Sequence, residues 1–166
     1  MFVLWITLTV FLLDQFTKWI IKSNFELYQT KPIVDNFFHI TYVTNDGMAF
    51  GLSMPGGKSI LLSLSVLLTI LIFWYLWRER ANHIIIRISL ALILAGALGN
   101  IIDRTIYGSV VDFLDFMIGD FHWYIFNVAD SSVTSGMILF MYYSFFIEPT
   151  FQSKINNQEE GFESID

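Results

Sequence analysis

The amino-acid sequence predicts a mainly α-helical membrane protein with four transmembrane helices and a small β-sheet at the membrane surface. Of its 166 residues, 55% are hydrophobic and 14% are charged, whereas globular domains average about 25% charged residues. Crossing ~30 Å of hydrocarbon at 1.5 Å per residue takes about 20 mostly apolar residues. The runs that approach this length are residues 1–21, 60–77, 84–102 and 131–147. We expect residues 1–147 to form one domain and residues 148–166 to form an acidic, disordered cytoplasmic tail.

The composition also excludes several classes of protein and site. The formal net charge of −6 argues against a nucleic-acid binder, because phosphate backbones attract Lys and Arg. The sequence contains no Cys, which rules out disulfides, zinc-thiolate sites and thiol nucleophiles. His39, His83 and His122 are scattered along the chain, and we interpret each as a loop or interfacial residue rather than a metal ligand.

The first apolar run is interpreted as a retained helix rather than a signal peptide. It lacks a basic n-region and continues past Asp14 and Lys18 without a small-residue cleavage site. Arg78, Arg80 and Arg87 cluster around the tight loop between the second and third runs. Because cytoplasmic loops are enriched in Lys and Arg, we expect this loop to be cytoplasmic and the longer loops to be extracytoplasmic.

The first long loop, about residues 24–57, is predicted to contain β-structure. Residues 37–44 are rich in aromatic and β-branched side chains, which favour strands. The run ends at Asn45, Asp46 and Gly47, a strong turn signal. We therefore expect a small sheet lying at the membrane surface.

Polar and ionisable side chains within the apolar runs are functional candidates, because a charge there costs at least ~2.5 kcal/mol on insertion scales. Asp14 and Lys18 lie four residues apart on one helix face, where they can pair. A pair that orients the helix is the simpler interpretation. In the third run, Ala95 and Gly99 form a face of small residues that allows another helix to approach closely.

Packing does not explain the polar end of the third run. Asn100 and Arg104 lie four residues apart at the predicted membrane boundary, with Asp103 between them. Arg104 is interpreted either as a fixed donor near a carboxylate or as an interface anchor.

Two aspartates at the mouths of the third and fourth runs form the candidate active site. Asp112 lies among apolar residues, and Asp130, followed by two Ser, is also a good helix N-cap. Asn127 would share a face with Asp130 if that helix began one turn earlier. In a low-dielectric cleft, two carboxylates raise the pKa of one while the other stays ionised. One could then take a proton from water while the other protonates a peptide carbonyl oxygen.

Five sequence blocks occur along the chain in a definite order. They are residues 14–18 (DQFTK), 45–50 (NDGMAF), 96–104 (GALGNIIDR), 110–113 (VVDF) and 126–130 (FNVAD). Together they resemble the signature blocks of bacterial lipoprotein signal peptidase, also called signal peptidase II. The resemblance covers the chain from the first to the fourth run and stops short of the acidic tail.

The resemblance implies an aspartyl endopeptidase of the bacterial inner membrane that removes signal peptides from prolipoproteins. Such enzymes cut just before a Cys that bears a diacylglyceryl group, and they have four transmembrane helices with an extracytoplasmic β-cradle. They need no metal or organic cofactor. The cyclic peptide globomycin inhibits them. We also expect a monomer. The implied catalytic dyad is Asp112 and Asp130. The positions implied to support the dyad or contact substrate are Asn45, Gly47, Asn100, Arg104, Asn127 and Ala129. The positions expected to be structural are Asp14, Lys18, Gly96 and Gly99.

Two other classes of function stay open at this point. A small transporter or channel subunit could use Asp14, Lys18 and Asp130 as an ion relay, although most of the unusual polar residues lie at one membrane boundary. A scaffold protein could use the glycine face for helix packing alone, without any catalytic aspartate. The sequence leaves the roles of three further acids open: Asp103, Asp115 and Asp120.

Overall fold

The computed structural model describes residues 2–46, 57–119 and 121–150. The helices in these ranges are α1 (Val3–Asn24), α2 (Gly57–Arg78), α3 (Ile84–Tyr107) and α4 (Val128–Tyr142). The strands are β1 (Thr30–Val34), β2 (Phe38–Asn45), β3 (Val110–Ile118) and β4 (Phe121–His122). A 3-10 turn, Glu79–Ala81, follows α2, and a π-helical turn, Tyr143–Ile147, follows α4.

Three of the described helices are long and apolar enough to cross a membrane: α1, α2 with its 3-10 turn, and α3. Their outward faces expose large apolar side chains, including Trp5 at 70% and Trp74 at 56%. An exposed apolar surface of this size is typical of contact with lipid. Helix α4 is shorter, with 15 residues before the π-helical turn.

Helix α3 lies at the centre of the bundle. Leu76 of α2 and Leu90 of α3 are at most 3% exposed and belong to one apolar cluster with Val3 of α1 and with Tyr143. Small residues allow α4 to approach α3 closely, since a side-chain carbon on Gly136 would lie 2.7 Å from a backbone oxygen of α3. The bundle is therefore held together mainly through α3.

The four strands form one antiparallel sheet in the order β1-β2-β3-β4. Strand β2 confirms the strand predicted over residues 37–44. An apolar cluster of Ile21, Val111 and Phe113 packs the end of α1 against β3. The sheet is thereby fixed at one end of the helix bundle.

Several element boundaries differ from the prediction. Helix α3 continues past residue 102 to Tyr107, so Asp103 and Arg104 are helical. It ends at Gly108, whose φ of 72° is left-handed, a conformation that glycine adopts at little cost. Residues 148–150, which we assigned to the tail, are helical. Gly47 of the predicted turn and residues 151–166 of the predicted tail lie outside the described residues.

Candidate active site

The N-terminus of α4 is built around Asn127 and Asp130. The Asn127 side-chain oxygen accepts a hydrogen bond from the backbone N–H of Asp130 at 2.9 Å, and the Asp130 carboxylate accepts one from the backbone N–H of Asn127 at 3.3 Å. This reciprocal pair is a capping box, which satisfies two backbone donors that the helix itself leaves free. The interpretation of Asp130 as the N-cap is therefore wrong. Asn127 is the N-cap, and the helix begins about one turn before residue 131.

Asp112 lies in β3 and is only 2% exposed. Its Oδ1 accepts a hydrogen bond from Nδ2 of Asn127 at 2.6 Å, and the side chain of Asn45, at the end of β2, also hydrogen-bonds to it. Burial, reinforced by the negative charge of Asp130, raises the pKa of Asp112 to about 7. The two amide hydrogen bonds and the charge of Lys18 act in the opposite direction. Asp112 is therefore a carboxyl group that can hold a proton near neutral pH.

Asn100 of α3 connects Asp130 to Lys18. Its Nδ2 donates to Oδ1 of Asp130 at 2.8 Å, and its Oδ1 accepts from Nζ of Lys18 at 3.1 Å. Side-chain amides thus face both carboxylates, Asn127 and Asn45 at Asp112 and Asn100 at Asp130. Helix α3, strand β3 and the start of α4 together bring the two predicted aspartates into one hydrogen-bonded cluster.

A buried ion-pair network joins α1 to this cluster. The predicted pair is confirmed, since Nζ of Lys18 lies 2.8 Å from Oδ2 of Asp14, and the same ammonium lies 3.0 Å from Oδ2 of Asp103. Buried charges need further polar partners. The backbone N–H of Ala129 donates to Asp14 at 2.8 Å, and that of Val111 donates to Asp103 at 3.2 Å.

The small residues of the predicted set lie where α1, α3 and α4 meet. A side-chain carbon on Gly99 would lie 2.5 Å from the Asp14 carboxylate and 3.2 Å from Cβ of Ala129. A side-chain carbon on Gly96 would overlap the backbone oxygen of Ala129, which is itself fully buried. A larger side chain at either glycine would push α4 away from its neighbours.

Arg104 lies in the last turn of α3 and is partly buried. Its guanidinium interacts electrostatically with Asp112 and Asp130, and it lines a cavity of about 160 Å³ together with Asp46 and Lys58. Within the described ranges, its Nε has no hydrogen-bond partner. Arg104 is therefore a positive charge beside the two carboxylates.

Gln15 and Asp103 belong to the network, although sequence reasoning gave neither a role. Nε2 of Gln15 donates to both Asp14 and Asp103 at 3.1 Å, and lies 3.3 Å from the backbone oxygen of Gly99. Two features of the sequence point to Gln15 and Asp103. Gln15 is part of the first sequence block, and Asp103 follows Asn100 by one helical turn on an otherwise apolar helix.

The remaining ionisable candidates have other partners or lie outside the described residues. Oδ2 of the buried Asp115 accepts a hydrogen bond from the hydroxyl of Thr41 at 2.7 Å. His83 is the N-cap of α3, and its side chain accepts a backbone N–H bond. Asp120 and the side chain of His122 are not among the described parts of the chain. Over those parts, no group of three or more His, Asp or Glu side chains could hold a metal ion.

Two open cavities lie side by side, one against the sheet and one beside α4. The first has a volume of about 290 Å³ and is lined by Phe37, Phe116, Ile118, Phe121, Trp123 and Phe126. The second has a volume of about 380 Å³ and is lined by Trp123, Tyr124, Phe126, Asp130, Ser131, Thr134 and Ser135. They share Trp123 and Phe126, so an aromatic surface leads from the sheet to the Asp130 carboxylate.

Comparison with known proteins assigns the chain to a family. The sequence model of the family described as Signal peptidase (SPase) II matches residues 6–146. This chain belongs to the signal peptidase II family. The lipoprotein signal peptidase of Syntrophus aciditrophicus is 43% identical over 135 residues, which cover 78% of this chain and 83% of that protein. The lipoprotein signal peptidase of Burkholderia mallei is 44% identical over 140 residues, covering 82% and 83%.

Two solved structures, each described as a bacterial membrane enzyme, resemble this signal peptidase II family member with a TM-score of 0.74. One is 34% identical and aligns over 82% of this chain and 83% of its own. The other is 32% identical and aligns over 87% and 93%. The helix bundle with its attached sheet is thus shared with bacterial membrane enzymes.

Proposed function

We propose that this signal peptidase II family member is a membrane aspartic endopeptidase that removes signal peptides from prolipoproteins. The observation that carries the proposal is the cluster of Asp112 and Asp130, in which side-chain amides hydrogen-bond to both carboxyl groups, Asn127 and Asn45 to Asp112 and Asn100 to Asp130. The relatives named lipoprotein signal peptidase support the substrate class. Cleavage is proposed just N-terminal to a Cys that carries a diacylglyceryl group.

In the proposed mechanism, Asp112 is the acid and Asp130 is the base. Asp130 takes a proton from a water molecule whose oxygen attacks the scissile carbonyl carbon, while Asp112 gives its proton to the carbonyl oxygen. The resulting gem-diol collapses as the C–N bond breaks. Asp130 then transfers its proton to the leaving nitrogen, and one hydroxyl of the gem-diol returns a proton to Asp112. The raised pKa of Asp112 supports this assignment of the two roles.

Neighbouring groups can bind the substrate around this dyad. The guanidinium of Arg104 interacts electrostatically with both carboxylates, and in the proposed mechanism its positive charge stabilises the polarised carbonyl oxygen. The hydroxyl groups of Ser131, Thr134 and Ser135 line the cavity beside Asp130. They could hydrogen-bond the backbone groups of a substrate helix that unwinds for cleavage, since free backbone groups are costly in a membrane.

A fourth transmembrane helix is part of the proposal. Helix α4 runs antiparallel to α3, with Ala129 against Gly96 and Gly136 against Ser89. Beyond α4, the ring of Tyr143 packs against the ring of His83, the N-cap of α3, with the ring centroids 5.8 Å apart. Helix α4 and its π-helical turn therefore accompany α3 along most of its length, and α3 is long enough to cross a membrane. Four spans place both termini on the same side.

We place the dyad at the extracytoplasmic face of the bacterial cytoplasmic membrane. The arginine-rich turn after α2 lies at the end of the bundle opposite the sheet, and such turns favour the cytoplasmic side. A lipid-anchored substrate diffusing in the membrane would then reach Asp130 from the side. Globomycin is expected to inhibit the enzyme by occupying the same surface.

The distribution of charge argues against the ion-relay alternative. Residues 88–102 of α3 and residues 131–147 contain no Asp, Glu, Lys or Arg. The buried charges of α1, Asp14 and Lys18, lie at the sheet end of the bundle with the rest of the network. A relay would need ionisable groups distributed across the membrane.

The deciding experiment is cleavage of a diacylglyceryl-modified prolipoprotein by the purified protein in detergent or lipid. Wild type is expected to cut, and globomycin is expected to block it. Folded Asp112→Asn and Asp130→Asn variants should each lose about a thousandfold in kcat or more, since general acid–base groups contribute about 10² to 10⁴ each.

Asp115→Asn is the matched control, because Asp115 is as buried as Asp112 and lies in the same strand. It is expected to keep activity close to that of wild type. A wild-type protein that does not cut would refute the proposed function. A folded Asp112→Asn or Asp130→Asn variant with near-normal kcat would refute the dyad.

A further inference from the structure

Lys18 lies at the centre of the contacts that surround the two proposed catalytic aspartates, Asp112 and Asp130. Its ammonium lies 2.8 Å from Asp14 and 3.0 Å from Asp103, and donates to Asn100 at 3.1 Å. An ammonium group has three N–H donors and no acceptor, so these partners account for all of its donors. The residue is only 2% exposed. Lys18 therefore connects α1 to α3 inside the bundle.

Lys18 is the closer of two donors that orient the Asn100 amide, since its Nζ lies 3.1 Å from the Asn100 oxygen and Nδ2 of Asn127 lies 3.3 Å from it. Because an ammonium only donates, the atom of Asn100 that faces it must be the carbonyl oxygen. The amide NH₂ group consequently faces Asp130, with Nδ2 2.8 Å from Oδ1. Without Lys18, the longer bond from Asn127, whose Nδ2 also donates to Asp112, is left to hold the amide, and a rotated amide would present its oxygen to Asp130 and leave that carboxylate without its donor.

Each of the two carboxylates that Lys18 binds also accepts a hydrogen bond from the backbone N–H of a residue on another element. Asp14 accepts from the N–H of Ala129, and Asp103 accepts from the N–H of Val111. In the sequence, each of these donors immediately precedes one of the two aspartates of the proposed dyad. Through these two carboxylates, the Lys18 ammonium connects the start of α4 to strand β3.

We propose that Lys18 is a positioning residue for the dyad. It is the charged donor that stabilises the orientation of the Asn100 amide, and through Asp14 and Asp103 it sets the separation of the two backbone segments that carry Asp112 and Asp130. This proposal rests on the proposed function. A displacement of about 1 Å in a reacting group can cost about a hundredfold in rate, so Lys18 should affect kcat much more than KM.

The test is a Lys18→Met variant, which keeps the length of the side chain and removes its charge and donors. For the folded variant, kcat for the lipid-modified prolipoprotein is expected to fall about a hundredfold with little change in KM. The pH at which kcat/KM declines on the alkaline side should also rise, because the charge of Lys18 opposes the upward shift in the pKa of Asp112. A general loss of packing would not move that pH.

Thr7→Val is the matched control. The Thr7 hydroxyl is buried and donates to the backbone oxygen of Ala91 at 3.0 Å, so it also links α1 to α3, but without contacting the Lys18 network. This variant should lower the thermal stability in detergent and leave both kcat and the alkaline decline unchanged. If it changes both as much as Lys18→Met does, the positioning role is refuted.

A second variant covers the case in which Lys18→Met does not fold. Asp103→Asn keeps the shape of the side chain but weakens the tie between Lys18 and Val111, and we expect kcat to fall about tenfold. Wild-type kcat in a folded Lys18→Met, or in Asp103→Asn if only that variant folds, overturns the proposal. An inactive wild-type protein overturns the proposed function itself, a result distinct from either outcome.

Discussion

At the scale of single residues, the proton on Asp112 sets the pH range of the proposed reaction. The raised pKa, about 7, keeps this carboxyl group protonated at lower pH and lets it ionise above that value. An enzyme that needs the protonated form therefore loses activity on the alkaline side. We predict that kcat/KM falls about tenfold per pH unit above pH ~7, since kcat/KM reports the pKa values of the free enzyme.

The measurement is kcat/KM of wild type from about pH 5 to about pH 9. Asp115→Asn should give the same alkaline decline, because Oδ2 of Asp115 accepts its hydrogen bond from Thr41 of β2. A profile that stays flat to the alkaline end would contradict the role of Asp112 as the acid.

The residues that sequence reasoning identified differ from those it missed in where their partners lie. Asp14 and Lys18 pair within one helical turn, so spacing alone predicts the contact. The bonds of Gln15 to Asp103 and to the backbone of Gly99 join α1 to α3 across more than 80 positions of sequence. Such partners depend on how the helices pack, which local pattern does not determine.

At the scale of secondary-structure elements, the contact between α3 and α4 determines where Asp130 lies. A methyl group at Gly96 would overlap the backbone oxygen of Ala129 and the side chain of Val133. We predict that Gly96→Ala lowers stability by about 1 to 3 kcal/mol, typical of overpacking, and also lowers kcat because α4 must shift. Thermal unfolding and cleavage kinetics in the same detergent measure both effects.

Gly119→Ala serves as the control for this substitution. Gly119 has a left-handed φ of 62° with open space around its Cβ position, so the cost is backbone strain of about 1 to 2 kcal/mol. Its stability should fall without a loss of kcat. Equal kcat losses in the two variants would show that the close helix contact has no special effect on the site.

Helix α4 and strand β3 show how far local pattern predicts an element. The capping signal near residue 130 correctly indicated a helix start, but the reciprocal bond with Asn127 places that start at Val128. Strand β3 was not predicted. Asp112 and Asp115 are both buried within it, so no alternation of polar and apolar residues marks the strand. Its side chains are stabilised by amide and hydroxyl donors from other elements.

At the scale of the whole molecule, the lengths of the apolar runs predict α1, α2 and α3 well, because the thickness of the bilayer fixes how long a spanning helix must be. The central position of α3 was not predictable in this way. It follows from the glycines and polar side chains that α3 presents on several faces at once. Such contacts require the relative positions of all the helices.

The orientation of the molecule can be tested with single cysteines, since the chain contains none. Asp35 in the turn between β1 and β2, and Ala81 after α2, are both exposed. In intact spheroplasts, Asp35→Cys should react with a membrane-impermeant maleimide, whereas Ala81→Cys should react only after the membrane is opened. The reverse pattern would place the dyad on the cytoplasmic side.

The capping box at the start of α4 implies that selection for stability alone would act differently on Asp130 and on Asp112. Asn127 and Asp130 satisfy each other's backbone donors, and one such hydrogen bond contributes about 0.5 to 1.5 kcal/mol, so variants chosen only for survival at high temperature would keep Asp130. Asp112 is the opposite case. Because its pKa is raised, its stabilising protonated form is lost as the pH rises through about 7, and a neutral Asn there would be favoured in alkaline medium. Among such survivors, an intact Asp130 would say nothing about catalysis, whereas an intact Asp112 would mean that activity itself had been selected.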